Sequence, residues 1–114
     1  MPYIKTTTNT AISKEKETVL KTKLGQAIAL IPGKSETWLM TAFDDDVSIY
    51  FQGNGDKTIV YVEVAIFGSA SDKAYDALTA EITNIMAQEL SASPSDIYVK
   101  YEEVSHWGWN GKNF

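Results

Sequence analysis

The sequence has no cysteine, and histidine occurs only once, at His106. The absence of cysteine excludes disulfides, thiolate nucleophiles and cysteine-ligated metals. A single histidine argues against a histidine metal cluster and against a histidine-based catalytic triad. The three adjacent acids at 44–46 lack the other ligand positions of a calcium loop, which indicates a solvated turn. We therefore expect no bound metal and no cofactor.

Basic residues are also scarce: 10 lysines and arginines face 15 acidic residues, which leaves a net charge of −5. A nucleic-acid partner would need a basic face, so none is expected. No apolar run approaches the roughly 20 residues of a membrane span. The start MPYIKTTTNT lacks the basic and apolar regions of a secretory signal. These features predict one soluble, cytoplasmic domain over residues 1–114 with no membrane partner.

Two segments place apolar residues at the spacing of a helix. The first follows Ser13, a candidate N-cap, and ends at Pro32-Gly33. The second follows candidate caps between Ser69 and Asp72 and ends near Leu90. The two apolar stripes are Leu20, Leu24, Ala27, Ile28 and Ile31, and Ala74, Leu78, Ile82, Ile85 and Met86. Each stripe predicts a helix with one face in a core.

Runs of β-branched and aromatic residues predict strands over 2–6, 38–43, 47–51, 58–67 and 97–104. The run TIVYVEVAIF at 58–67 is the strongest and is expected at the centre of a sheet. The run WLMTAF at 38–43 is almost wholly apolar, which is typical of a strand covered on both faces. The tail, 105–114, is expected to form a short edge strand or a packed terminal loop.

The two halves, about 2–52 and 57–114, repeat the order strand, helix, strand. This tandem βαβ repeat predicts an α+β sandwich: a four-stranded mixed sheet with two helices on one face and short edge strands. Right-handed crossovers place both helices on the same face and leave the other uncovered. Because 38–43 and 58–67 are too apolar for a face in water, we expect the chain to associate through it.

Pro2 directly follows the initiator methionine. A small second residue favours removal of Met1, after which Pro2 would carry a free secondary amine. An α-amine titrates at roughly 7.7–8, and burial lowers its pKa because it disfavours the charged form. Such an amine suits a general base at neutral pH. Many proteins begin with Met-Pro without using the proline, so this pair alone is a weak signal.

Several short motifs occur in a fixed order along the chain. They are Pro2 with Ile4, Gly33-Lys34, Gly53 after Phe51, Ser93-Pro94 with Tyr98, and Gly108-Trp109-Asn110 with Phe114. Together with the repeat, they resemble the macrophage migration inhibitory factor branch of the tautomerase superfamily over the whole chain. The resemblance implies a homotrimer whose three sheets line a central barrel, with an active site at each subunit boundary.

The resemblance further implies a cofactor-independent keto–enol tautomerase of 2-oxo acids such as phenylpyruvate, with Pro2 as the general acid and base. Lys34 matches the family lysine that helps to bind the substrate carboxylate. A lysine after a helix-ending glycine is also a favourable partner for the helix C-terminus without any ligand. Val64 matches an apolar position whose backbone amide contacts the substrate.

The remaining implied substrate-binding residues lie in the second half of the chain. Tyr98 matches an aromatic residue from the neighbouring subunit, and Trp107 and Phe114 match positions that wall the pocket. Lys100 stands where the best-known members carry an asparagine, so the substrate preference is open. Two alternatives also stay open: a trimeric binding or signalling protein with little turnover, and proline-dependent hydrolysis of halogenated or unsaturated acids.

Overall fold

The computed structural model describes residues 1–114. Its principal elements form two successive units, each in the order strand, helix, strand. The first unit has β1 (Pro2–Thr8), α1 (Lys14–Ala27) and β2 (Met40–Asp44); the second has β3 (Val60–Phe67), α2 (Asp72–Leu90) and β4 (Ile97–Val104). Two short tail strands follow, β5 (Gly108–Trp109) and β6 (Lys112–Asn113). Neither helix combines the length and the apolar character that a membrane span requires.

The four main strands form one mixed sheet in the order β2-β1-β3-β4. β1 is parallel to β2 and antiparallel to β3, and β3 is parallel to β4. Ile4 of β1 lies opposite Val64 of β3, so the corresponding strands of the two units are neighbours at the centre. The predicted α+β sandwich with a four-stranded mixed sheet, two helices and short edge strands is confirmed.

Both predicted helices begin at a side-chain cap. The hydroxyl of Ser13 accepts from the Lys16 N–H, and that of Ser71 accepts from the Ala74 N–H, each at 3.1 Å. These bonds satisfy N–H groups that have no partner inside the helix. All ten residues of the two predicted apolar stripes are buried in the core between the helices and the sheet.

Three predicted strands have different boundaries in the structure. β1 continues two residues further than predicted, to Thr8, and β3 begins at Val60 instead of residue 58. β2 begins only at Met40, because Glu36–Trp38 forms a 3-10 turn. Residues 47–51 were predicted as a strand but form only one bridge, between Phe51 and Asn54 across the Gly53 turn. A β-competent segment without a partner strand in the same chain cannot form a ladder.

The uncovered face of the sheet is more polar than the sequence predicted. Alternation along β3 directs Val60, Val62, Val64 and Ile66 towards the helices and leaves Tyr61, Glu63, Ala65 and Phe67 on the open face. Lys5 and Lys100 flank Glu63 on that face, and the Lys100 Nζ lies 3.8 Å from the Glu63 carboxylate. β2 is an edge strand and stays half exposed within one chain, so a single chain does not cover both of its faces.

An ion-pair cluster joins the two helices on the outer side. Glu89 of α2 accepts from Lys16 and Lys23 of α1, at 3.0 Å and 2.7 Å. These hydrogen bonds lower the pKa of the Glu89 carboxyl, and the bond from Lys23 has the larger effect. Because its pKa is lower in the folded state, the Glu89 carboxylate stabilises the fold at pH values above the ordinary pKa of glutamate. This stabilisation is lost as the pH falls through the pKa of the folded state.

Glu89→Gln is therefore expected to lower the melting temperature at pH 7, with a difference from wild type that narrows towards pH 3. The measurement is thermal unfolding by circular dichroism across this pH range. Glu81→Gln on the same helix is the matched control, since Glu81 is exposed and forms no ion pair. A Glu89→Gln difference that is equally large at both pH values would contradict the assignment.

Candidate active site

A cavity of about 640 Å³ opens where β1 begins. Its lining comes from the chain start, the segment before β2, the third strand and the tail: Met1, Pro2, Tyr3, Thr37, Trp38, Leu39, Met40, Ala65, Trp107, Gly108 and Trp109. The chain has three tryptophans, and all three line this cavity. A cavity of this size with aromatic walls and a few polar groups has the character of a small-molecule site.

The N-terminus is fixed in this cavity by the end of β3. Pro2 lies opposite Ile66 in the β1–β3 ladder. The Phe67 N–H donates to the Met1 carbonyl oxygen at 3.0 Å, and the Lys34 Nζ donates to the Phe67 carbonyl oxygen at 2.9 Å. Lys34 follows Gly33, whose φ of 81° turns the chain back after the first helix. The sequence therefore brings a lysine and the chain start to the same strand end.

The surroundings lower the pKa of the α-amine at this N-terminus below its ordinary value. Burial is the largest cause, because desolvation disfavours the charged amine. The Lys34 ammonium adds a like charge, and a hydrogen bond with Lys34 acts in the same direction. The titrating amine in this structure belongs to Met1, while the Pro2 nitrogen is an amide. These surroundings therefore favour the neutral form of an α-amine more than water does.

Aromatic side chains form a connected wall beside this amine. The Trp38 and Trp109 rings lie edge to face, with centroids 5.1 Å apart. Phe114 stacks on Trp109 at 6.5 Å and contacts Phe67 at 5.6 Å. The Phe114 N–H donates to the Trp107 carbonyl oxygen at 3.1 Å, which folds the tail back on itself. The wall therefore runs from the cavity mouth to the strand end where Lys34 binds.

The structure brings together four of the predicted site residues in one chain: Pro2, Lys34, Trp107 and Phe114. The Val64 side chain is buried on the helix side of the sheet, and its neighbour Ala65 lines the cavity. The predicted contact of the Val64 backbone amide with a substrate stays a prediction. The backbone that meets Lys34 belongs to Phe67.

Tyr98 and Lys100 lie elsewhere in the same chain. Tyr98 packs edge to face on Phe51, at 5.1 Å, beside a second, apolar cavity of about 250 Å³. In the register of the sheet, Tyr98 pairs with Tyr61, and Tyr61 pairs with Thr7. Thr7 is five residues along β1 from Pro2, which is roughly 17 Å at the rise of a strand. One chain alone therefore does not unite Pro2 with Tyr98.

Sequence reasoning missed Tyr3, Trp38, Met40 and Trp109 as lining residues of the cavity. The interpretation of 38–43 as a buried strand concealed Trp38, which the 3-10 turn leaves 46% exposed. The sequence does contain a signal for the 3-10 turn. Ser35 lies two residues after Gly33, which ends the first helix, and serine before a segment favours the start of a helical turn over a strand.

Comparisons with known proteins agree on one family. The sequence matches the family model described as macrophage migration inhibitory factor over residues 1–114. The structure is similar to that of Leishmania major MIF2, with 32% identity, a TM-score of 0.93, and 100% of this chain and 97% of that chain covered. A homologue from Prochlorococcus marinus has 25% identity and a TM-score of 0.88, with 98% of each chain covered. Comparison with curated proteins gives no significant sequence match.

Proposed function

The chain belongs to the macrophage migration inhibitory factor family and has the fold of the tautomerase superfamily, and from this membership we propose a specific activity. The protein is a cofactor-independent keto–enol tautomerase of 2-oxo acids such as phenylpyruvate. Pro2, freed by removal of Met1, is its general acid and base. The observation that carries the proposal is a cavity lined by the N-terminus and three tryptophans, with Lys34 bound to the adjoining end of β3 and close enough to lower the pKa of the N-terminal amine.

The reaction needs one group that takes a proton from a carbon atom of the substrate and then donates a proton to the carbonyl oxygen. The neutral secondary amine of Pro2 removes a proton from the carbon next to the ketone, so a C–H bond breaks and an N–H bond forms. The electron pair moves to the carbonyl oxygen, which then takes the proton and becomes the enol. The lowered pKa of the Met1 amine supports this role, because the same surroundings would favour the neutral, proton-accepting form of a Pro2 amine.

Two groups at the end of β3 are suited to the oxygens of the substrate. The Lys34 ammonium acts on the N-terminal amine as a like charge and is suited to the carboxylate of a 2-oxo acid. Removal of Met1 also removes the carbonyl oxygen that now accepts from the Phe67 N–H. That N–H would then donate to a substrate oxygen, and a fixed donor at a developing oxyanion is an effective form of catalysis.

The direct test is tautomerisation of phenylpyruvate by protein whose intact mass shows that Met1 is absent. The enol absorbs in the ultraviolet, so its appearance and decay give the rate. Turnover well above the uncatalysed rate is expected. A Met1-free chain that fails to accelerate phenylpyruvate while it accelerates hydrolysis of a halogenated or unsaturated acid would replace this proposal with another proline-dependent reaction.

We further propose that the chain is a homotrimer in which Tyr98 and Lys100 of a second copy complete the Pro2 cavity. Large apolar side chains are exposed at both ends of the open face: Trp38, Met40 and Trp109 at the Pro2 end, and Tyr50 and Tyr98 at the other. Two different patches on one chain favour a head-to-tail contact, which closes into a ring when the rotation permits. This arrangement would also bring Tyr98 to Pro2, which one chain cannot do.

Mixed trimers test the shared site. A trimer site needs Pro2 from one copy and Tyr98 from the next, so random mixing of Pro2→Gly and Tyr98→Ala chains should restore roughly a quarter of the sites. The mixture is refolded together, its composition is verified by native mass spectrometry, and its rate is compared with the sum of the two separate variants.

Pro2→Gly mixed with Lys34→Met is the matched control. Pro2 and Lys34 act within the same chain, so no mixed trimer regains both groups in one site. Recovery in the control, or no recovery in the test mixture, contradicts a site shared between copies.

A further inference from the structure

The tail, residues 105–114, leaves the sheet at the end of β4. At this point the Val104 carbonyl oxygen accepts from the Gly68 N–H at 3.0 Å, and Gly68 directly follows β3. The tail then passes the end of β3, where Phe114 contacts Phe67, and two of its tryptophans line the Pro2 cavity. The direction in which the chain leaves β4 therefore affects where the aromatic wall lies.

The tail has no hydrogen bond to the rest of the chain. β5 and β6 pair only with each other, and the Phe114 N–H donates to the Trp107 carbonyl oxygen within the tail. The contacts that reach outside the tail are aromatic, and they join Trp109 to Trp38 and Phe114 to Phe67. Because the hydrophobic effect is non-directional, these contacts alone do not fix the path of the tail.

A hydrogen bond between two side chains fixes the end of β4 from the helix side of the sheet. The Tyr75 hydroxyl, in the first turn of α2, donates to the Glu103 carboxylate at 2.6 Å. A bond of this kind and length is charge-assisted and stronger than one between neutral groups. Burial, and then the hydrogen bond with Glu103, raise the pKa of Tyr75 to about 12, so the hydroxyl keeps its proton at physiological pH.

A second tyrosine holds Tyr75 in place. Tyr101 lies two residues before Glu103 on the same face of β4, and its ring packs on that of Tyr75 with centroids 4.6 Å apart. The Tyr101 hydroxyl donates to the Tyr75 carbonyl oxygen at 3.2 Å and pairs with the Thr79 hydroxyl at 2.8 Å. All four side chains lie on α2 or on the helix side of β4, away from the open face proposed to contact another copy.

We propose that Tyr75 and Glu103 are positioning residues of the candidate site. Their hydrogen bond sets the direction in which the tail leaves β4 and thereby holds the aromatic wall at the Pro2 cavity. Neither side chain lines the cavity, so both act through the tail. The expected effect on substrate rests on the proposed function, because it assumes that substrate enters this cavity. The expected effect on the tail does not.

Tyr75→Phe tests the proposal, because it removes the hydroxyl and keeps the ring that packs on Tyr101. Amide hydrogen exchange measured by NMR should be about three- to tenfold faster for the N–H of Phe114. Quenching of tryptophan fluorescence by acrylamide should increase, since all three tryptophans line the cavity. For phenylpyruvate, KM should rise about three- to tenfold while kcat changes less than KM.

Three further variants separate positioning from a general loss of structure. Asp76→Asn is the matched control, because Asp76 is an exposed acid beside Tyr75 with no hydrogen bond or ion pair. Glu103→Gln keeps an acceptor and should lie between wild type and Glu103→Ala. Combining Tyr75→Phe with Glu103→Ala should add little to either change alone. Native mass spectrometry and thermal unfolding verify that all variants share the wild-type assembly and fold.

Unchanged exchange and quenching in Tyr75→Phe would show that aromatic contacts or a neighbouring copy hold the tail, and the proposal would be wrong. Equal changes in Asp76→Asn would also contradict it. The tail measurements need no turnover, so they separate this proposal from the proposed reaction. A tail that loosens in a protein without tautomerase activity supports the positioning pair and contradicts the reaction, while an unchanged tail in an active protein does the reverse.

Discussion

A chain that begins at Pro2 is expected to tautomerise phenylpyruvate about 10²- to 10⁴-fold faster than one that retains Met1. The reason is the identity of the nitrogen. In the chain that retains Met1, the Pro2 nitrogen is an amide without a basic lone pair, and the Phe67 N–H donates to the Met1 carbonyl oxygen. Removal of Met1 creates the base and frees this donor together. Intact mass spectrometry identifies the two forms, and kcat/KM compares them.

Pro2→Gly in the Met1-free chain refines this prediction. Glycine also supplies an α-amine, but it is a primary amine on a flexible backbone, so the nitrogen is held less firmly against the substrate. A fall in kcat/KM of about 10²-fold is expected, at the lower end of what a positioned base contributes. Equal rates for Pro2→Gly and wild type would exclude the proline as the acid and base. A retained-Met1 chain as active as the Met1-free chain would exclude it as well.

The pH dependence of the Met1-free chain carries further information. The acid limb of kcat/KM reports the pKa of the base in the free enzyme. Burial and Lys34 lower the pKa of the Met1 α-amine in the structure. We expect them to act in the same direction on the Pro2 amine one residue further along, so the acid limb should be displaced to lower pH.

The parts of the fold that the sequence predicts well are those with local causes. Ser13 and Ser71 begin the helices because their hydroxyls satisfy N–H groups three residues later. The apolar stripes at helical spacing have only one way to be buried. The β3 strand is central, as its β-branched and aromatic composition indicates.

The parts that the sequence does not predict depend on partners distant in the chain. Residues 47–51 have strand composition but no neighbouring strand in the same chain, and composition alone does not reveal this. Apolar content also does not show direction: alternation along β3 turns its valines to the helices and leaves Glu63 on the open face, between Lys5 and Lys100. The pairing of β3 with its neighbours fixes which of its side chains face the helices.

The candidate site shows the same limit. Pro2 and Lys34 could be expected from the family resemblance, but the contact of Lys34 with the Phe67 carbonyl oxygen depends on how the first helix meets the end of β3. The resemblance implies a contact between the Val64 backbone amide and the substrate, which stays a prediction, while the structure adds Phe67 as the residue whose carbonyl oxygen binds Lys34. Trp38 enters the site only because a 3-10 turn replaces the start of the expected strand.

Lys34→Met tests the second group of the proposed site and should have the next largest effect. Methionine keeps the length and apolar character of the side chain but removes its charge. Loss of a charge-assisted hydrogen bond to the substrate carboxylate is expected to lower kcat/KM by about 10- to 100-fold, mainly through a higher KM. Steady-state kinetics with phenylpyruvate, over a range of pH, measures both effects.

The pH profile distinguishes this role of Lys34 from a purely structural one. The Lys34 charge lowers the pKa of the adjacent α-amine, so its removal should raise that pKa and move the acid limb of kcat/KM to higher pH. Lys34→Arg retains the charge and should leave the limb near its wild-type position even where KM changes. A limb that stays fixed in Lys34→Met, or moves to lower pH, would show that Lys34 does not set the charge state of the N-terminal amine.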